Sequence, residues 1–468
     1  MNIFEDLSHL YPNNIAIISD SGESISYKKL DEHAQYLNKK IPPRALVFNL
    51  NKNSLGSMVG YYSFLKNKVV PLMLEAKMDF ELLKRLLITY KPVYLWLPTE
   101  DLLKFFNVEV ICSLFDYSLI KIKNQSNPSL HKDLALLLGT SGSTGSQKIV
   151  KLTYENLKSN AFSIIEYLSI DQNERPITTL PMSYSFGLSI INSHFYSGAT
   201  LLLTNRTFFE REFWVFLKEQ KATSLSGVPY TFEMLKKLRF FRMDVPSLKT
   251  LTQAGGKMNN DLNKEFVEYS HEAKKRFFVM YGQTEATARM SYLPNEKALS
   301  KLGSMGIAIP KGDFTLIDEN QRLISDNNRV GELVYKGPNV SMGYANNIKD
   351  LSKDNENNGV LITGDMAKRD DDGFYYIVGR KKRFVKIFGN RINLDETERI
   401  IKNIISDCAC VGNDDKIVIF ITNILRVDEV RTFISSKIGI HQSAFAIKCI
   451  DKIPKNESGK TIYSNLKF

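Results

Sequence analysis

The chain has 468 residues, 43% of them hydrophobic, and a net charge of +11, a length that allows roughly three folding units and a sizeable core. No apolar run approaches the roughly 18–20 residues that span a bilayer, and the start, Met1 to Asp6, has neither the basic nor the apolar region of a secretion signal. No membrane partner and a cytoplasmic location are therefore expected. Cys112, Cys408, Cys410 and Cys449 are too few and too scattered for a disulfide framework. Cys408 and Cys410 have no His/Cys pair at ligand spacing to complete a metal site, so reduced core or strand cysteines are expected.

In chain order, Ile15–Ile18 is a short apolar strand, and Ser26–Leu30 opens a helix that continues through His33, Tyr36 and Leu37. Ala45–Leu50 is strand-like, Ser54–Leu65 helical, Val69–Leu72 a strand, 80–89 a helix and Val93–Leu97 a strand. Strands alternating with helices of this length argue for a layered, mostly parallel α/β fold. Asn124–Pro128 and the polar run Asp350–Gly359 read as surface loops. After Gly379 the character changes: a charge run, Arg380 to Arg383, precedes a short α+β segment. From Arg380 to Phe468 there are 17 Lys/Arg against 10 Asp/Glu, a net +7 that holds most of the chain's excess. Such a surface favours an acidic partner. Aromatic and basic residues do not interleave as a base-stacking platform requires, so no nucleic acid is expected.

The apolar strand Leu134–Leu138 runs into Gly139-Thr140-Ser141-Gly142-Ser143-Thr144-Gly145-Ser146-Gln147-Lys148. Small residues let backbone N–H groups approach an anion, hydroxyls add donors, and Lys148 supplies positive charge. It is not a Walker loop, because Lys148 follows Gln147. The run resembles the signature of the adenylate-forming superfamily: acyl-CoA synthetases, nonribosomal-peptide adenylation domains and beetle luciferases. It departs from that signature at Gln147 and Ile149, where proline and glycine are usual. Further motifs follow in the family's order. Ala254-Gly255-Gly256 resembles the turn along adenine and the acyl group. Tyr281-Gly282-Gln283-Thr284-Glu285 resembles the adenylate and metal motif. By that resemblance Tyr281 stacks on adenine, Thr284 bonds the α-phosphate and Glu285 holds Mg²⁺. Gly331–Val334 and Gly343-Tyr344 match the linking strands. Thr363-Gly364-Asp365 resembles the ribose motif, to which Arg380 adds a cation.

The resemblance implies a large layered α/β N-terminal AMP-binding domain, 1–379, a hinge, 380–383, and a small mobile α+β C-terminal lid, 384–468. Lys382 stands at the hinge position, and Gly389, in Val385–Ile392, would face a thiol tunnel. Lys460, in Pro454–Lys460, would be the adenylation lysine; carboxylate attack on a phosphate joins two anions and needs fixed cations. Lys381 and Arg383 match no motif, and a solvated face stays open for both. Pro181–Leu188 resembles the substrate gate. Tyr184, Ser185, Phe186, Gly187, Val228, Ala254 and Met280 are expected at the acyl pocket. Ser185 stands where amino-acid-activating relatives carry Asp, so the acid is expected to lack an α-ammonium group.

The function implied is activation of a small carboxylic acid by ATP with Mg²⁺, giving acyl-AMP and pyrophosphate. Transfer to a thiol, on CoA or an acidic carrier protein, would follow. Amino-acid adenylation, transfer to an amine or oxygen, and a non-catalytic nucleotide-binding partner protein are the alternatives.

Overall fold

The computed structural model describes residues 4–140, 148–388, 390–413, 416–455 and 461–467. Ser141, Gly142, Ser143, Thr144, Gly145, Gly389 and Lys460 lie outside the described residues. Where the apolar pattern predicts elements in the first hundred residues, elements form. Ser26 accepts the Lys29 N–H and opens helix Tyr27–Asn38, which buries Tyr27, Leu30, Ala34 and Leu37, a spacing that keeps one helical face inward. Asp79 caps helix Phe80–Tyr90 through the Leu82 N–H. Strand Leu46–Asn51 is buried at every position and pairs in parallel with Val70–Glu75 and Tyr94–Pro98, as a strand covered on both faces must.

The chain packs as two compact units. Among the described residues, the larger takes in 4–140, 148–313 and 335–361, and the smaller takes in 314–334 and those from 362 to 467. The larger unit holds two extended sheets among the described residues. One runs Tyr344–Ala345, Lys148–Thr153, Leu134–Thr140, Val70–Glu75, Leu46–Asn51, Tyr94–Pro98, Tyr117–Ile122 and Val108–Leu114. Its pair Leu134–Thr140 and Lys148–Thr153 is antiparallel, so the expected phosphate-loop sequence lies between two paired strands. The other sheet is centred on the parallel strands Ile15–Ser19, Leu201–Leu203, Pro176–Ile177, Ser224–Gly227, Thr250–Gln253 and Arg276–Tyr281.

The smaller unit is built on the sheet Asp313–Ile317, Gly331–Lys336, Val360–Arg369 and Tyr375–Arg380. It continues into a lobe with hairpin Phe384–Ile387/Asn390–Asn393 and sheet Cys408–Gly412, Ile417–Ile421 and Phe445–Cys449. Val385, Ile387, Ile419, Val430 and Ile434 fill the lobe's core. The expected domain boundary at 379/380 falls inside this unit, where Asn393 Nδ2 donates to the Val378 carbonyl (2.7 Å). Cys408 and Cys410 are buried strand thiols, Cys112 is half-buried and Cys449 exposed, all free; burial pushes the Cys408 thiol up to about 12. Among the described residues no helix is long and apolar enough to cross a membrane.

Candidate active site

In the larger unit, strand Arg276–Tyr281 ends at the expected adenylate motif, and a short turn, Thr284–Ala286, carries Thr284 and Glu285. Only glycine fits at 282: a Cβ there would lie 1.6 Å from the Ala288 carbonyl, because the chain reverses and the Ala288 N–H donates to the Gln283 carbonyl. Gln283 Nε2 donates to the Tyr281 hydroxyl (3.2 Å). The Tyr344 hydroxyl donates to Glu285 Oε1 at 2.6 Å, and Lys148 Nζ lies 4.9 Å from the centroid of the same ring. One tyrosine thus gathers a carboxylate at its hydroxyl and a lysine over its face. It reaches that place because strand Tyr344–Ala345 pairs with Ile149 and Val150. Thr140 closes the base of the loop, its hydroxyl donating to the Lys148 carbonyl (3.3 Å).

Phe186, Val228, Ala254 and Met280 share one buried apolar cluster, with Tyr184 packed against it. Gly255 adopts φ +83, open to glycine at little cost, and a Cβ there would meet the Tyr184 hydroxyl at 2.6 Å. The Gly256 carbonyl accepts from Gln253 Nε2 (2.8 Å). Gly187 plays a packing part: it sits in helix Ser185–Tyr196, where a Cβ would come 2.3 Å from the Pro181 carbonyl. Ser185 is turned toward the expected adenylate motif, its Oγ 3.0 Å from Thr284 Oγ1. Sequence reasoning placed these two residues in different subsites; the fold makes them neighbours.

In the smaller unit, Asp365 and Arg380 face each other in register on adjacent strands. Arg380 Nε contacts Asp365 Oδ1 at 2.7 Å, with the carboxylate 4% and the guanidinium 57% exposed. The Asp365 N–H donates to Thr363 Oγ1, which donates to the Leu333 carbonyl. Lys381 pairs with Glu332 (2.7 Å), and Lys382 is exposed. Arg383 is no part of a solvated face. It contacts Asp395 (2.7 Å), Glu398 (2.6 Å) and the Cys410 carbonyl (2.7 Å), and it stacks 3.9 Å from the Tyr463 ring centroid. Burial alone would lower this guanidinium; Glu398, Tyr463 and Asp395 together raise it above its ordinary value.

Three residues escaped the sequence reading. Tyr344 was assigned only to a linking strand, because its partner Glu285 lies 59 positions away. Arg383 was obscured by its neighbours in a charge run. Arg289, four residues past Glu285, is buried; a lone charge between Ala288 and Met290 was the signal available. Among the described residues no group of three or more His, Cys, Asp or Glu side chains can hold a metal. Glu285, held by one hydroxyl, fits a cation that needs one carboxylate and takes its other ligands from substrate phosphates and water, which is the habit of Mg²⁺.

The family model described as AMP-binding enzyme matches residues 4–345. A 4-coumarate–CoA ligase-like protein of Arabidopsis thaliana is 26% identical over 348 residues, 71% of this chain and 61% of that protein. The chain therefore spans about three-fifths of that relative's length. A luciferin 4-monooxygenase of Luciola mingrelica is 25% identical over 452 residues, 91% of this chain and 79% of that protein. The structure of O-succinylbenzoate coenzyme A synthetase from Bacillus subtilis in complex with ATP and magnesium ion superposes with a TM-score of 0.79. It is 21% identical and covers 99% of this chain and 98% of its own.

Proposed function

Because the chain belongs to the AMP-binding enzyme family, we propose that it activates a carboxylic acid with ATP to give acyl-AMP and pyrophosphate, then passes the acyl group to a thiol. The observation that carries this reading is the convergence of Glu285 and Lys148 on Tyr344 beside the paired hydroxyls of Thr284 and Ser185. The acid's carboxylate attacks the α-phosphorus, the new bond is carboxyl oxygen to phosphorus, and the bond to the pyrophosphate oxygen breaks. Lys148 and Thr284 supply a cation and a donor for the phosphate oxygens, and Lys460 adds the cation needed where charge accumulates. One such donor is worth roughly 10²–10³ in rate. Glu285 would hold Mg²⁺, which neutralises phosphate charge when bound. Asp365 would accept from ribose hydroxyls, with Arg380 beside it.

In the second step the thiol sulfur attacks the acyl carbonyl and AMP leaves. The +7 on residues 380–468 supports an acidic thiol carrier, CoA or a carrier protein. Lys382 is the hinge in this reading, Gly389 the tunnel residue, and the setting is cytoplasmic. Acid-dependent exchange of labelled pyrophosphate into ATP, screened over a carboxylic-acid library and followed by thiol acceptors, tests it. Exchange with at least one acid is expected; ATP binding without exchange for any acid would make the chain a nucleotide-binding protein instead.

A further inference from the structure

Arg289 is 2% exposed. It follows two consecutive non-glycine residues in the left-handed region, Thr287 at φ 56 and Ala288 at φ 94, a conformation that costs energy and that a structure keeps where something depends on it. Its carbonyl is held from two sides, by Asn160 Nδ2 and Asn339 Nδ2 at 2.9 Å each. The backbone is therefore fixed and the side chain directed.

That side chain enters the apolar cluster at the acyl pocket. The guanidinium carbon lies 3.8 Å from the Phe186 ring centroid, and the Tyr167 and Tyr184 hydroxyls are the polar groups that act on its charge. Tyr167 in turn donates to Met280 Sδ (3.1 Å) and stacks on Tyr292 at 4.2 Å. Arg289 Nε is buried with no hydrogen-bond partner. Among the described residues no Asp or Glu forms an ion pair with Arg289, whereas Arg383, its side chain 13% exposed, has two carboxylates. Burial accordingly pulls the Arg289 guanidinium below its ordinary value, with only tyrosines opposing. A buried guanidinium without an anion is costly, and the cost falls when a planar carboxylate meets its fork of donors. The protein supplies aromatic faces and tyrosine hydroxyls here, and no charge.

We propose that the acid this chain activates is a dicarboxylic acid whose second carboxylate, away from the reacting one, pairs with Arg289. The inference rests on the adenylation reading above and gives its substrate class. It also agrees with an acid lacking an α-ammonium group, since a second cation beside Arg289 would be repelled.

The test is pyrophosphate exchange with α,ω-dicarboxylic acids of three to ten carbons and with benzene dicarboxylates. Each acid is set against its monomethyl ester, which removes one charge and keeps the shape. For the best acid, kcat/KM should exceed that of its half-ester by about 10- to 100-fold, the range of a hydrogen-bonded charge pair. Arg289→Gln should bring that ratio near one while leaving turnover of the half-ester measurable, and Arg289→Lys should restore part of the preference. Thermal shift on the wild type gives a second reading that needs no variant to fold: the dicarboxylate should raise Tm more than its half-ester. Exchange that is strongest with a monocarboxylic acid would overturn the Arg289 assignment and leave adenylation standing. A preference that survives in Arg289→Gln would do the same. Absence of exchange with every acid would remove the adenylation reading, and this one with it.

Discussion

Tyr344 decides where the Glu285 carboxylate points. Its hydroxyl is the group that fixes Oε1, at 2.6 Å, and a hydrogen bond to a charged acceptor contributes about 1.5–3 kcal/mol. Tyr344→Phe keeps the ring under Lys148 and removes that bond. The magnesium concentration needed for half-maximal pyrophosphate exchange should rise about 10-fold or more, with little change in KM for the acid. An unchanged magnesium titration would show that Glu285 needs no such positioning. The expected adenylate and ribose motifs, Tyr281 to Glu285 and Thr363 to Asp365, could be singled out in the sequence because each is a contiguous stretch, at the end of strand Arg276–Tyr281 and within strand Val360–Arg369. Tyr344, Arg289 and Arg383 were not, since each acquires its meaning from partners brought by other elements. Ser185 shows the same limit from the other side: its type suggested a pocket wall, and its contact with Thr284 depends on how helix Ser185–Tyr196 meets the turn at 284.

That helix carries a titrating group in its second half. His194 is buried and its Nδ1–H donates to the Ile190 carbonyl at 2.8 Å. Burial lowers it from 6.5 to about 4. The unfolded chain therefore takes up the proton first as pH falls. The stabilisation from a neutral His194 is complete above about pH 6.5 and is lost as pH drops toward 4, a total of about 3 kcal/mol. Urea unfolding midpoints measured from pH 4 to 7 should fall on acidification, and His194→Gln should flatten that part of the profile. Equal slopes in the two proteins would place the acid sensitivity elsewhere. The helices read from the first hundred residues were readable because their signals are local: an apolar face at helical spacing and, in the structure, a capping side chain at Ser26 or Asp79. The strand order was not. Ile17 pairs with Leu201 and Tyr344 with Val150, and nothing in either stretch names its partner.

The sequence of motifs along the chain gave the large α/β part and the small α+β part in their right order. It could not say that residues 314–334 and 362–380 group with the C-terminal lobe: the Arg380 N–H reaches Asp395, and the ion pairs within the sheet and within the lobe link residues 12 to 49 positions apart. Those pairs bear on the expected hinge. Arg380 is tied to Asp365, Lys381 to Glu332, and Arg383 to Asp395 and Glu398. Lys382 is exposed, and its side chain has no partner among the described residues. It is the residue of this run at which the backbone can turn without breaking a side-chain anchor. A hinge absorbs a large φ/ψ change, and proline fixes φ near −65° and removes an N–H. If the lobe after 383 turns between half-reactions, Lys382→Pro should hold it in one setting. Pyrophosphate exchange should stay within about 3-fold of wild type, while thioester formation falls by about 10²-fold or more, the split expected when a domain motion gates one step. Supplying pre-made acyl-AMP should not rescue transfer, because the block lies after adenylation. Lys382→Ala removes the side chain and leaves the backbone free, so it should perform both steps nearly normally. Normal thioester turnover in Lys382→Pro would move the hinge away from this residue. A parallel loss of both steps would show that proline has damaged the adenylation setting itself, and the side-chain anchors at 380, 381 and 383 would then be the place to look for what the turn supports.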